Sequence, residues 1–484
     1  MSHRKARSQS RRTEKVARRR SEKRRGNRKP KRRSNKLDAR RAMKNFVGDE
    51  DIFSEYKFHG NIKWAARDLA QMGILFSWSE KRNVTDAFTE LLKRAKLLGM
   101  AITHTTYQGF MGAMANYVHI LIPLLIRRLQ ERMLETGDRF REVSGFVPIG
   151  FDGSRNCVPR TRSNEQELCS AKGKRKALES PSRVTDPKPQ VWITMMWHMG
   201  LRLPWDWRLG PSDSSERNHV RKMIAEGDFP KNTLFCGDAG FVGYDFWQSI
   251  IKGGHDFLVR VGGNVKLIND LVDYRCLNDH EVLCWPKDKQ AHQPPLRLRL
   301  IRVSVGKADV FLLTSVLSSE RLPGPSMASI YEMRWGIEIE FRGLKQTLNG
   351  QTLRCRNVDR LYTELHWSLL SMAVAELLAL IEQINRNDHQ SGEYTPARRS
   401  LARTFKAIYD CLDDLRGTAP PDADLFARLA DALTDQYIRK RSKKARYRPT
   451  VHEKKKHKNQ PPKIRPITSA ERKQIEKTTQ NTPV

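Results

Sequence analysis

Residues 331–345, YEMRWGIEIEFRGLK, carry two different faces on one helix, and this restricts how the chain can pack around them. At about 100° per residue, Tyr331, Arg334, Glu338 and Lys345 fall within roughly 60° of one another. Ile330, Met333, Ile337, Phe341, Leu344 and Leu348 form a separate apolar stripe, roughly 90° away. Such a helix buries one side and shows an acid flanked by cations on the other, a face suited to a metal ion and to phosphate. An ordinary amphipathic helix with a solvated charged face has the same spacing, so the helix alone leaves both readings open. Glu340, turned roughly 200° from Glu338, is expected to be dispensable for chemistry on the polar face.

Two further acids recur in one local design. In FVPIGFDGS, residues 146–154, Phe146, Ile149 and Phe151 run into Asp152 and then a glycine. In TLFCGDAGF, residues 233–241, Leu234, Phe235 and Cys236 precede Asp238. Each reads as a buried strand with an Asp at its end. Taken singly, either Asp also fits a turn residue before glycine.

The spacing Y-x2-R-x3-E-x6-K, with Trp335 directly after the Arg, resembles the signature of DDE transposases of the insertion sequence four family. Together with Asp152 and Asp238 it matches that family in order, local sequence and element type over roughly residues 140–380. The resemblance implies an α/β fold: a ribonuclease-H-like catalytic core with a β-rich insertion, flanked by helical N- and C-terminal regions and basic tails. It implies that Asp152, Asp238 and Glu338 are the catalytic acids and bind two Mg2+ ions, for which Mn2+ could substitute. Tyr331, Arg334 and Lys345 would grip the terminal phosphate, Trp335 would stack on a displaced base, and Arg260 would contact DNA. The implied activity is cut-and-paste transposition on double-stranded DNA, both terminal inverted repeats and target, by a synaptic homodimer.

The chemistry gives these residue types a reason. In-line attack on a phosphodiester needs hard cations to activate the nucleophile and stabilise the leaving oxygen, and hard cations take carboxylate oxygens. The seven cysteines form no C-x2-C pair and are odd in number, which points away from a zinc site and towards a reducing compartment. Two other readings stay open: a metal-dependent nuclease on the same fold without strand transfer, and a domesticated DNA-binding protein that no longer cuts.

Charge points independently to a polyanionic partner. Of the formal net charge of +35, residues 1–44 hold 21 Lys/Arg against 3 acids and residues 439–484 hold 16 against 3, which leaves +4 on the body. Basic arms on a nearly balanced body are the footprint of a nucleic-acid binder, and arms so poor in apolar residues are expected to be disordered when free. Solubilising tails or non-specific RNA binding would read the same way. No signal peptide is visible in the N-terminal run, and VHILIPLLI at 118–126 is too short to span a bilayer. A cytoplasmic bacterial protein, associated with the nucleoid and not with a membrane, is expected.

The chain divides into a basic arm (1–44), a helical DNA-binding region (45–140), a catalytic domain (141–385, insertion about 262–325), a helical region (386–438) and a disordered basic tail (439–484). End recognition is expected in the second unit, where Lys63, Arg67, Lys93, Arg94 and Lys96 read equally as solvated helix faces. Residues 155–190 look like a basic loop, 191–203 like strand and 214–224 like a helix returning to the Asp238 strand. LRLRL at 296–300 alternates apolar and basic faces, with Arg297 and Arg299 on the latter. Residues 361–385 form a strongly apolar helix, in which His366 reads as a packed core residue. Helices are expected near 397–416 and 422–437.

Overall fold

The computed structural model describes residues 64–100, 106–136, 140–169, 189–270, 279–305, 308–348, 353–387, 399–414, 425–433 and 460–480, together with 42, 43, 46, 51–54 and 102. Residues 1–41 of the expected arm lie outside that set, as do 170–188 and Cys276.

In chain order, α1 (Asp51–Ser54), α2 (Ala66–Ser77), α3 (Val84–Leu97) and α4 (Tyr107–Thr136) come first. Asn83 caps α3 by accepting the Thr85 N–H at 3.0 Å, a contact worth about 1 kcal/mol. Then follow β1 (Val147–Cys157), α5 (Arg162–Leu168), β2 (Gln190–His198), β3 (Leu203–Pro211), α6 (Glu216–Glu226), β4 (Thr233–Gly237), α7 (Tyr244–Lys252) and β5 (Asp256–Val261). Next are β6 (Lys266–Asn269), β7 (Asp279–Cys284), β8 (Leu296–Val305), β9 (Ala308–Thr314), α8 (Gly324–Met333), α9 (Gly336–Gln346) and α10 (Val358–Asn387). The chain closes with α11 (Leu401–Asp414), α12 (Leu425–Ala430), β10 (Lys463–Pro466) and α13 (Ser469–Gln480).

The ten strands make one mixed sheet in the order β10-β6-β7-β8-β9-β5-β4-β1-β2-β3. Strands β1, β4 and β5 are mutually parallel, while β2 pairs antiparallel with β1 and β3 antiparallel with β2. The stretch 191–203, read as strand material, is a strand and the start of the next, because the chain turns at 199–202. Strands β6 to β9 do not form a separate layer; they widen the same sheet beyond β5. The expected basic face of β8 is neutralised there: Arg297 pairs with Glu281, and Arg299, 3% exposed, forks onto Asp279 of β7.

Helix α10 packs against α2, α4, β3 and the C-terminal helices. Gly73 of α2 meets Trp367 so closely that a Cβ there would lie 2.5 Å from the indole, and the Trp78 indole N–H donates to the Ser371 carbonyl at 3.0 Å. The N-terminal helices thus share a core with the helix behind the sheet. Residues 118–126 are the middle of the 30-residue α4. By length and composition alone α4 and Val358–Asn385 could each cross a membrane, but the most apolar stretch of the latter is 83% buried inside the fold. His366 is half-buried and accepts the Trp207 indole N–H at 3.0 Å, and desolvation drives its pKa down to about 4. Arg94 is 2% exposed and pairs with Glu90 at 3.3 Å, so it is part of the core rather than of a DNA-facing surface.

Two expectations need correction. The segment 155–190 is not all loop, since β1 continues to Cys157 and α5 follows. Part of the tail is ordered: β10 pairs in parallel with β6, and Thr468 and Glu471 form a reciprocal cap at the start of α13. Ile464, Ile467 and Ile475 pack on the core and anchor a segment whose charge masked them.

Candidate active site

The parallel pairing of β1 with β4 runs from Val147 opposite Thr233 to Gly150 opposite Cys236. Continuing that register sets Asp238 beside Asp152, and because side chains alternate along a strand both carboxylates leave the same face. Asp238 does stand just past the end of its strand, where its Oδ1 accepts the Gly240 N–H at 2.7 Å. Asp152 does not end β1. It sits mid-strand, opposite Met195 of β2, because β1 outruns β4 and goes on pairing with β2 alone.

The helix expected over 331–345 is broken. α8 ends at Met333 and α9 begins at Gly336, joined by a tightened turn in which Arg334, Trp335 and Ile337 donate to the carbonyls three residues back at 3.2 Å each. At this break Gly336 lies on Trp197 of β2, where a Cβ would come within 2.0 Å of the ring. Arg334 and Trp335 keep helical dihedrals, so the polar face survives the break. Ile337, Phe341 and Leu344 are buried as the apolar stripe requires, each contributing about 1.5–3 kcal/mol.

The break aims Arg334 at the sheet. Its Nη1 lies 3.4 Å from Asp152 Oδ2 and its Nη2 3.6 Å from Glu338 Oε1. The guanidinium carbon stands 5.6 Å from the Tyr331 ring centroid. Burial opposes the Arg334 charge, but Tyr331, Asp152, Asp238 and Glu338 outweigh it and hold the group more firmly protonated than usual. The Asp152 carboxyl is pushed up by burial; the Gly153 N–H and Arg334 pull it down, and Asp238 and Glu338 add to the rise. Burial also raises the Tyr331 phenol, which Arg334 and then Arg260 of β5 act to lower. Tyr331, Arg334, Asp152, Asp238, Glu338 and Arg260 therefore act on one another in a single electrostatic cluster.

Lys345 is not in that cluster. Its Nζ donates to Ser154 Oγ at 2.7 Å, further along β1, and burial lowers its pKa. Trp335 is 58% exposed and Ile339, one turn on, 55%. Glu340 is 6% exposed and faces Glu376, because turning away from Glu338 means turning into the core. Burial first, then Glu376, raises its carboxyl well above the usual range.

A fourth carboxylate, absent from the sequence reading, borders the site. Glu216 occupies the first turn of α6 behind the Ser215 cap, and a Cβ at Gly153 would lie 2.4 Å from its Oε1. Burial, then Asp152 and Asp238, pushes its carboxyl up to about 7. The only sequence signal was the Ser-Glu start of a helix, which says nothing about a partner on a distant strand.

Among the described residues, no three Asp, Glu, His or Cys side chains converge into a ready-made metal cage. The donor set is nevertheless all carboxylate oxygen, and Asp238 and Glu338 raise the proton affinity of Asp152, a negative excess that a hard divalent cation would relieve. A cavity of about 970 Å³ between α4 and β3 contains none of these acids.

Residues 194–374 match the family described as transposase DDE domain, a span that includes Asp238 and Glu338 and begins after Asp152. The chain is 27% identical over 244 residues to the transposase InsG for insertion sequence element IS4 of Escherichia coli (strain K12), covering 48% of this chain and 52% of that protein. It is 24% identical over 156 residues to y4zB of Sinorhizobium fredii (strain NBRC 101917 / NGR234), covering 30% of this chain and 43% of that protein. The chain thus spans about half the length of the curated relatives it matches. A solved synaptic complex of piggyBac transposase with hairpin DNA has a TM-score of 0.40 and 12% identity over 83% of this chain and 86% of that one. By sequence, the chain is similar to DDE transposases of the insertion sequence four type.

Proposed function

We propose that this chain is a DNA transposase of the insertion sequence four type, which cuts double-stranded DNA at terminal inverted repeats and joins the freed ends to target DNA. The observation that carries this reading is the gathering of Asp152, Asp238 and Glu338 around Arg334. Strand order β3-β2-β1-β4-β5, with β1, β4 and β5 parallel, supports a ribonuclease-H-like core, and β6 to β9 fit a β-rich insertion within it.

The three acids would hold two divalent cations, Mg2+ or Mn2+. Such ions supply Lewis-acid stabilisation of phosphoryl oxygens and lower the pKa of water. The chain's own residues orient the DNA. Arg334, already held between Asp152 and Glu338, is placed to move from these carboxylates to a phosphate oxygen. Tyr331 supports it from behind, and Arg260 adds positive charge on the β5 side. Lys345 reaches a neighbouring phosphate, and Trp335 offers an unpacked indole for a displaced base. Residues 45–140 would recognise the ends, the basic arms would add sequence-independent affinity, and a homodimer would hold both ends together. The protein would act in the bacterial cytoplasm, on the nucleoid.

The test uses the full chain and a duplex made from the inverted repeats that bound its reading frame. With Mg2+ the expected products are cuts at the repeat termini and joined strands, neither of which forms in chelator. Cutting without regard to the repeats, with no joined product, would replace this reading with a nuclease. DNA binding without either product would replace it with a DNA-binding protein.

A further inference from the structure

A second site lies between the α2–α3 turn and the end of α9. It is a cleft of about 470 Å³ lined by Lys81 and Arg82 from the turn, Lys345 from α9, and Arg354 and Glu364. The charges do not cancel. Glu364 is consumed by Arg354, whose Nε lies 2.8 Å from Oε1, and it also accepts the Arg354 and Cys355 backbone N–H groups at 2.9 and 3.0 Å. Arg354 in turn donates through Nη1 to the Lys81 carbonyl at 3.1 Å, which ties the turn to the protein body. Among the described residues Lys345 bonds only the neutral Ser154 hydroxyl and no acid pairs with Lys81 or Arg82, both exposed. Three cations thus converge on a cleft whose one carboxylate is already neutralised.

The cleft is also aligned with the acids. Ser154 lies two residues past Asp152 on β1, and Lys345 lies seven residues past Glu338 on α9, roughly 10 Å along a helix at 1.5 Å per residue. That distance corresponds to about three phosphates at 3.4 Å of axial rise per strand.

We propose that this cleft binds the sugar-phosphate backbone of the DNA strand about three nucleotides from the scissile phosphate. Lys81 and Arg82 contact phosphates, and the Arg354–Glu364 pair fixes the turn that presents them. The proposal rests on the DNA-cutting reading and adds a specific subsite to it. It also gives the N-terminal helices a direct role in positioning the strand.

The test is the double substitution Lys81→Ala/Arg82→Ala in the full chain, titrated without divalent metal against a fluorescent terminal-repeat duplex over a salt series. Loss of two phosphate contacts should lower the slope of log affinity against log salt by about 2 and weaken binding at low salt about tenfold or more. The charge-preserving Lys81→Arg/Arg82→Lys should restore both. If the wild type binds with a steep salt dependence that the alanine variant shares, the cleft is off the DNA path and the cutting reading survives. If the wild type shows no salt-dependent binding, both ideas fall.

Discussion

Arg334 lies with its Nη1 3.4 Å from the Oδ2 of Asp152, which joins the break between α8 and α9 to the middle of β1. Both distances to its acids, 3.4 and 3.6 Å, are long for charged hydrogen bonds, so the guanidinium is held by the combined field rather than by one tight pair. Under the proposed function, this lets it exchange a carboxylate for phosphate.

Arg334→Ala is therefore predicted to slow single-turnover DNA cleavage by about a hundredfold, the usual loss when one buried donor is removed from a developing negative charge. Arg334→Lys should recover little, because an ammonium cannot reach both acids with a planar fork. A cleavage rate near wild type in either variant would show that Arg334 serves packing alone.

Trp335 is exposed, so its removal should leave thermal stability almost unchanged. If it stacks on an unpaired base, Trp335→Ala loses about 1–3 kcal/mol and should impair second-strand processing more than the first nick. Equal loss at both steps would argue against stacking.

Gly336→Ala should destabilise the fold by about 1–3 kcal/mol, since the new methyl meets the Trp197 ring. Trimming the ring by Trp197→Leu in the same chain should return part of that loss. Additive losses in a double-mutant cycle of chemical denaturation would mean that the two residues do not press on each other.

Asp206 of β3 is buried, and burial pushes its carboxyl up to about 6, with Arg208 and the Trp207 N–H pulling the other way. An unfolded Asp titrates near pH 4, so this group's stabilising contribution is complete below about pH 4 and disappears as pH rises through about 6. Asp206→Asn should stabilise the protein at about pH 8 by on the order of 2–3 kcal/mol and change little at about pH 4. Melting curves that shift equally at both values would rule out the protonated state.

Much of this arrangement was legible in the sequence because it depends on short-range periodicity. The apolar run before Asp238, the stripe on α9 and the long helix α10 all follow from local pattern. What was missed depends on partners far along the chain. Asp152 reads as a strand end, but β2, contributed some forty residues later, carries β1 past it. Glu340 is legible as turned away from Glu338, but its place in the core beside Glu376 is not. Glu216 becomes visible only once α6 lands on Gly153. The Thr468–Glu471 cap was present as a local motif but lay inside a charge run that resembles a disordered tail.

The most direct test of a shared acid site is Mg2+-dependent cleavage of terminal-repeat DNA by Glu338→Gln, measured beside Asp152→Asn, Asp238→Asn and Glu340→Gln. The first three should lose cleavage by several orders of magnitude, on the order of a thousandfold or more, with DNA binding kept or tightened, because a hard-cation ligand and a repulsive charge are lost together. Glu340→Gln should stay active, since this side chain faces Glu376 in the core rather than the acid site, and an amide can still donate to Glu376. An active Glu338→Gln beside a dead Glu340→Gln would contradict both the acid site and the helix face on which it rests.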